Sequence, residues 1–352
     1  MLDIVARFKL QGTPIGCIEF GSGHINRTYL VVTNQPHLYV LQNVNTHTFP
    51  DARGLMRNVI MVTEHIRKKV QDPRQVLELV PTVDGQMYIL EDGNQLWRVY
   101  EYVNGSICLD QAESVEDFRQ SGKAFGTFQR QLADFPAEEL TEVIPNFHHT
   151  PRRYEALHRA IEQDCMNRAS QVKEEIAFFL EREASAGELT GLLASGQLPL
   201  RVTHNDTKLN NVMLDEKTRE PLCIVDLDTV MPGLAAYDFG DAIRFGASEA
   251  TEDERDLSKV RMSLELYRAF TEGFLSVCGE SLTERERETL PEGARLMTIE
   301  NGIRFLTDYL QGDTYFHIAR PEHNLDRART QMVLTRDMES KWADMKRIIR
   351  EV

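Results

Sequence analysis

The chain has 352 residues, enough for about two domains, with 41% hydrophobic and 27% charged residues, the balance of an ordinary folded protein. Its formal charge is −15, with 55 acidic against 40 basic side chains, which disfavours nucleic acid or an anionic membrane as the main partner. An acidic chain can still handle nucleotides, because a bound divalent cation supplies the local positive charge.

The first residues, Met1-Leu2-Asp3-Ile4-Val5-Ala6-Arg7, lack the basic start and apolar stretch of a signal peptide. No apolar run approaches the ~20 residues of a membrane span. The five cysteines are scattered without C-x-x-C spacing and read as reduced thiols. Together these features predict a cytoplasmic protein.

Residues 15–20, 28–33 and 38–44 alternate as β-strands. The first two are separated by Gly21-Ser22-Gly23-His24-Ile25-Asn26. A glycine turn between strands can bring backbone N–H groups to a phosphate, though a plain turn has the same signature. Leu55, Val59, Val62 and Ile66 recur at helical spacing, and Asp72-Pro73 ends that segment. Segments 76–80, 86–90 and 96–103 read as further strands, split at Asp84-Gly85 and Asp92-Gly93. The first ~100 residues are therefore predicted as an antiparallel sheet carrying one helix. Asn104-Gly105-Ser106 reads as a linker.

Beyond residue 113 the chain turns helical. Val115, Phe118, Gly122, Phe125, Phe128 and Leu132 form one stripe. Residues 151–182 read as one long amphipathic stretch, and 254–277, 282–312 and 322–351 as three later helical blocks. The predicted class is α+β in two lobes: 1–103, a small sheet-bearing lobe, and 104–352, a larger helical one.

Between the helical blocks lies the stretch that carries chemistry. Val202-Thr203-His204-Asn205-Asp206-Thr207-Lys208-Leu209-Asn210-Asn211 is a polar loop, followed by an apolar strand, a turn, and Ile224-Val225-Asp226-Leu227-Asp228. His, Asp and Asn in the pattern H-x-D-x-x-x-x-N, with a carboxylate at the end of the next strand, supply what phosphoryl transfer needs. One group takes the nucleophile's proton, and oxygen ligands hold Mg²⁺.

On these residues the chain resembles the aminoglycoside phosphotransferase and choline kinase group within the protein-kinase-like fold, and more narrowly the N-acetylhexosamine 1-kinase subgroup. Supporting motifs are Gly23-His24-Ile25-Asn26, Thr229-Val230-Met231-Pro232-Gly233, Tyr237-Asp238-Phe239-Gly240-Asp241, and Arg304-Phe305-Leu306-Thr307-Asp308-Tyr309-Leu310 with Gly312-Asp313 and Tyr315-Phe316. The resemblance implies an ATP- and Mg²⁺-dependent kinase acting on the anomeric hydroxyl of an N-acetylhexosamine, as a monomer or weak homo-oligomer. Asp206 would be the base, Lys208 would neutralise developing charge, and Asn211 and Asp226 would hold the metal. Gly23, His24, Ile25, Asn26 and Gln42 would meet the phosphates. Glu101, Tyr102 and Val103 would meet adenine. Arg304 and Tyr315 would meet the acceptor and Asp228 a sugar hydroxyl or Mg²⁺, with His204 and Asp238 as braces.

Alternatives accompany several positions. Lys208 also reads as an exposed lysine, Asp238 as a helix cap, Arg304 as an i,i+4 partner of Asp308, and Tyr315 as a core aromatic. An acceptor such as choline, ethanolamine, homoserine or an aminoglycoside is the rival to the sugar. One departure stands out: protein kinases carry a lysine where this chain has Gln42, which cannot pair ionically with phosphate. That departure admits a third reading, a nucleotide-binding protein without catalysis.

Overall fold

The computed structural model describes residues 1–21, 25–91 and 95–352. In chain order its strands are β1 (Pro14–Glu19), β2 (Arg27–Thr33), β3 (Leu38–Val44), β4 (Ile89–Glu91), β5 (Gln95–Glu101), β6 (Ser106–Ile107), β7 (Arg201–Thr203), β8 (Val212–Asp215), β9 (Pro221–Ile224) and β10 (Met231–Gly233). The helices are α1 (Leu2–Val5), α2 (Ala52–Arg67), α3 (Val115–Gln131), α4 (Thr150–Gln163), α5 (Lys173–Leu180) and α6 (Glu188–Ala194). Then follow α7 (Ala235–Gly246), α8 (Leu264–Cys278), α9 (Glu284–Gln311), α10 (His323–Ser340) and α11 (Trp342–Glu351). The chain divides into two compact units: residues 1–108, 134–145 and 212–232 in one, and 109–133, 146–211 and 233–352 in the other.

The first unit holds a five-stranded antiparallel sheet in the order β1-β2-β3-β5-β4 and a smaller sheet β6-β8-β9. Side chains alternate across a strand, and the register exploits it. Val31, Tyr39, Leu41, Trp97 and Val99 point into one apolar core. On the opposite parity Thr28 pairs with Gln42, and Gln42 with Arg98, so three polar side chains stand in a row across three strands. Helix α2 is capped by Asp51, whose side chain accepts the Gly54 N–H. Its Asn58 Nδ2 donates to Thr141 O (2.7 Å) and Val230 O (2.9 Å).

Two of the expected strands are cut short. Segments 76–80 and 86–90 share one edge of β5: Leu79 sits opposite Tyr100, and Ile89 opposite Trp97. Neither has the whole edge, and Pro81, lacking an N–H, follows the first. Only Ile89–Glu91 forms a regular strand there.

The second unit is built around α9, which packs against α4, α7 and α10, while α3 lies along α8. A capping box of Thr283 and Glu286 starts α9, and Gly312 in the left-handed region ends it. Helices α7 and α9 meet backbone to backbone: a Cβ on Gly240 would collide with the Gly293 carbonyl, so only glycine fits. The stretch expected as one helix over 151–182 is broken instead. Asp164 takes the left-handed region (φ 36°) and its carboxylate accepts the N–H groups of Arg168 (2.8 Å) and Ala169 (2.9 Å), so its short polar side chain stabilises a loop in place of a further turn. The block expected from 254 begins its helix only at Leu264, where Ser263 supplies the N-cap. The last block divides between α10 and α11 at Lys341. Among the described residues no helix is long and apolar enough to cross a membrane.

Candidate active site

The polar loop leaves β7 at Thr203 and is fixed from below by buried side chains of α7. Asp238, 1% exposed, accepts the N–H of His204 (2.9 Å), the N–H of Asn205 (2.8 Å) and the Gln129 side-chain amide (2.9 Å). Asn205 is in the left-handed region (φ 65°), a conformation asparagine tolerates. One turn on, Asp241 accepts the Thr207 N–H (3.0 Å) and forks with Arg244 at 3.0 and 3.1 Å. Thr207 Oγ1 donates to the Asp238 carbonyl (2.7 Å). His204 is fully buried edge-on between Phe125 and Phe128, with its Nδ1 accepting the Asp206 N–H (3.3 Å). His204 and Asp238 thus brace the loop, and Asp241, which the sequence left without a role, is a third brace. Its signal was there: Asp238 and Asp241 are one helical turn apart, on one face.

Above this base the loop presents three side chains. The Asp206 carboxylate, 29% exposed, lies 2.8 Å from Lys208 Nζ and accepts Asn211 Nδ2 at 3.0 Å. Asn211 Nδ2 also donates to the Asp206 carbonyl (2.9 Å). Both bonds use the amide nitrogen of Asn211 and leave its amide oxygen out of them. The charge of Asp206 outweighs burial and raises the Lys208 ammonium above its ordinary value, so Lys208 remains cationic at neutral pH. Burial pushes the Asp238 carboxyl up, opposed by the N–H groups it accepts. For Asp241 the charges of Arg244 and Lys208 overcome burial and hold the carboxyl below its usual range.

The first unit carries the other expected residues. Asp226 follows β9 in the left-handed region (φ 57°, ψ 60°), at the head of a tight turn through Thr229. Asp228, two residues on, is 2% exposed and is ion-paired to Arg98 at 2.6 Å. Its second oxygen accepts Asn26 Nδ2 (2.6 Å), and Asn26 Oδ1 accepts the Asn45 N–H (3.0 Å). Gln42 is also engaged: its amide oxygen accepts Arg98 Nε (3.0 Å) and Nη2 (2.8 Å), and its nitrogen donates to Thr28 (3.2 Å). Asn26, Gln42 and Asp228 therefore form one network around Arg98, a residue that sequence reasoning passed over. Ile25 is exposed; Gly23 and His24 lie outside the described residues. At the end of β5, the Glu101 N–H is bonded to Glu78 O (2.9 Å) and the Tyr102 N–H to Leu38 O (3.2 Å). Val103 is buried, and its carbonyl accepts Ser106 Oγ (2.7 Å).

In the second unit, Arg304 and Tyr315 line a 170 Å³ pocket with Arg153, Thr307, Asp308 and Phe316. Arg304 does not pair with Asp308. Its guanidinium sits over Phe147 (5.2 Å), Phe316 (5.3 Å) and Tyr315 (5.9 Å). Both Asp308 oxygens are engaged instead, by the N–H groups of Thr314, Tyr315 and Phe316 and by Asn324, all within 2.8–2.9 Å. Asp308 thereby fixes the loop that offers Tyr315, which is 65% exposed and not a core aromatic.

A sequence model of the phosphotransferase enzyme family matches residues 16–271. That is well over half of the chain, which therefore belongs to this family of phosphotransferases. Solved structures of similar fold include a microcompartment-associated aminopropanol kinase (15% identity, TM-score 0.61, covering 98% of this chain and 97% of that one). Another is an aminoglycoside phosphotransferase from Alicyclobacillus acidocaldarius (13% identity, TM-score 0.64, covering 99% and 96%). A third is choline kinase from Cryptosporidium parvum (14% identity, TM-score 0.54, covering 96% and 92%). The fold is protein-kinase-like, with its five-stranded antiparallel sheet in the N-terminal part of the chain.

Proposed function

We propose that the protein is an ATP-dependent small-molecule kinase that phosphorylates the anomeric hydroxyl of an N-acetylhexosamine, N-acetylglucosamine or N-acetylgalactosamine. The observation that carries the kinase reading is the Asp206 carboxylate. It is partly open, oriented by Asn211 and Lys208, and held on a loop whose backbone is anchored to buried aspartates. A carboxylate so fixed can take the acceptor's proton as the acceptor oxygen bonds to the γ-phosphorus and the bond to the ADP oxygen breaks. Lys208 offsets negative charge gathering on the transferring group.

A divalent metal fits the donors available. Asn211 and Asp226 would hold it through hard oxygens, the Asn211 nitrogen being the atom engaged by Asp206. Among the described residues no three His, Cys, Asp or Glu gather into a dedicated cage. Mg²⁺ characteristically takes only one or two protein ligands beside substrate phosphates. When bound, it would neutralise phosphate charge. In this reading residues 1–103 bind the nucleotide, and 104–352 supply the catalytic loop and the acceptor site.

For the acceptor, the Arg153–Arg304 pocket supports a neutral polyol. Burial and the charge of Arg304 hold the Arg153 guanidinium below its ordinary value, a sign that two cations share the wall. The one carboxylate there, Asp308, is already engaged by four donors. Such a wall repels choline, ethanolamine and aminoglycosides, while aromatic faces and guanidinium donors suit a sugar ring. The second reading, a kinase of another small alcohol, draws on the aminopropanol and choline kinases of similar fold. ADP formation from ATP and Mg²⁺ across a panel of hexosamines and amino alcohols separates the two. Turnover with N-acetylhexosamines supports the first; turnover confined to amino alcohols replaces it with the second.

A further inference from the structure

Arg98 is 1% exposed, a guanidinium enclosed in the first unit. Each face of it is engaged. Nε and Nη2 fork onto the amide oxygen of Gln42 at 3.0 and 2.8 Å, and Nη1 lies 2.6 Å from Asp228 Oδ1 and 3.8 Å from the Met56 sulfur of α2. The Tyr100 ring stacks at 5.2 Å. Through these contacts one cation joins β3, β5, α2 and the turn that begins at Asp226. Through Asp228 and Asn26 it also reaches the residues after the glycine turn. Burial disfavours the charge, but Asp228 and, further off, Asp226 outweigh it and hold the guanidinium above its ordinary value.

A buried ion pair is a poor source of stability, because desolvating both charges costs as much as their attraction returns. Apolar side chains would fill the same space without that cost. What the pair does provide is fixed geometry. Asp226 holds a left-handed backbone, which aspartate adopts more readily than most residues, and Asp228, two residues on, ties the same turn to Arg98. Protein kinases place a lysine at the position of Gln42. Here Gln42 and Arg98 are direct cross-strand partners, so the cation stands one strand over, with Gln42 as its acceptor.

Building on the kinase reading above, we propose that Arg98 is the positioning residue of the nucleotide–metal site. From β5 it offsets the Asp228 carboxylate and locks the Asp226–Asp228 turn in the conformation that binds the metal–nucleotide. Asp228, in this account, serves as the anchor of that turn.

The test uses the full-length protein and a fluorescent ATP analogue titrated with Mg²⁺, which reads the site without turnover. Arg98→Met should raise the Mg²⁺ needed for half-maximal nucleotide binding at least ~10-fold, the range found when groups that orient a metal ligand are removed. Gln42→Lys in the Arg98→Met background returns a cation to the neighbouring strand, within cross-strand reach. It should recover most of the Mg²⁺ response. Gln42→Leu, which leaves the Arg98–Asp228 pair intact, covers the case in which Arg98→Met does not fold, and should give a smaller shift in the same direction. The proposal is overturned if these folded variants bind Mg²⁺–nucleotide as the parent does, or if the second cation fails to restore it while thermal stability recovers. Failure of the parent to bind Mg²⁺–nucleotide at all overturns the kinase reading and this proposal with it.

Discussion

Two clusters of charge in this protein use the same residue types to different ends. Around Arg98 the charges are enclosed: arginine and aspartate are 1% and 2% exposed, and half-buried glutamine and asparagine complete the shell. Around Asp206, the shell is buried but the contents are not. Asp238 and Asp241 are enclosed, whereas the Asp206 and Lys208 side chains remain 29% and 33% exposed. A charge enclosed on all sides can hold backbone in place but cannot exchange a proton with a substrate. A charge braced from one side can do so. Under the proposed function the contrast separates residues that shape a site from the one that would react, and substitutions can break it in order of effect.

The largest stability loss is expected at Asp228. Asp228→Asn keeps the shape but leaves Arg98 buried without a counter-charge, which costs about 3–5 kcal/mol and should be read by denaturant unfolding; no loss would mean the pair is incidental. Asp238→Ala comes next. It orphans the N–H groups of His204 and Asn205 and the Gln129 amide; with the loop free to relax onto solvent, the low end of about 1 kcal/mol per buried donor applies, and about 3 kcal/mol should go, with activity.

Arg304→Ala tests the acceptor pocket. Its loss should raise the KM for the sugar roughly 10- to 100-fold, with stability little changed, the expectation for one charged hydrogen-bonding group of about 1.5–3 kcal/mol. An effect on the KM for ATP alone would remove Arg304 from the acceptor site. The smallest effect is expected at Asp215. The N–H groups of Thr218 and Lys217, with Arg74, hold its carboxyl at about 2, below the ~3.9 of an unfolded aspartate. Its contribution is therefore complete above about pH 4 and is lost as the pH falls toward about 2. Asp215→Asn should lower the melting temperature modestly at neutral pH, and the gap to the parent should close as the pH falls from about 4 toward about 2.

What the sequence disclosed and what it hid follow from the range of the interactions. The loop from His204 to Asn211 was legible because its chemistry depends on local spacing: base, amide and lysine lie within six residues of one another. Asp226 was legible as the acid ending the next strand. Arg98 was not. Its partners Gln42 and Asp228 are 56 and 130 positions away, and an arginine alternating with apolar residues on a strand reads as a solvent face. Asn26 and Gln42 were expected at phosphates, and their engagement by Asp228 and Arg98 depends on the register of three strands, which no local pattern specifies. The shortening of segments 76–80 and 86–90 has the same origin. Each is a plausible strand alone, and only the tertiary pairing shows that they divide one edge of β5.

The proposed function assigns chemistry to Asp206 and architecture to the charges beneath it. The direct measurement is kcat with an N-acetylhexosamine and ATP, set beside nucleotide affinity and melting temperature, for Asp206→Asn. The account predicts a fall in kcat of roughly 10²–10⁴-fold, with nucleotide affinity and melting temperature close to those of the parent. Near-parental turnover in that variant, or a lost fold with no specific loss of turnover, would contradict it.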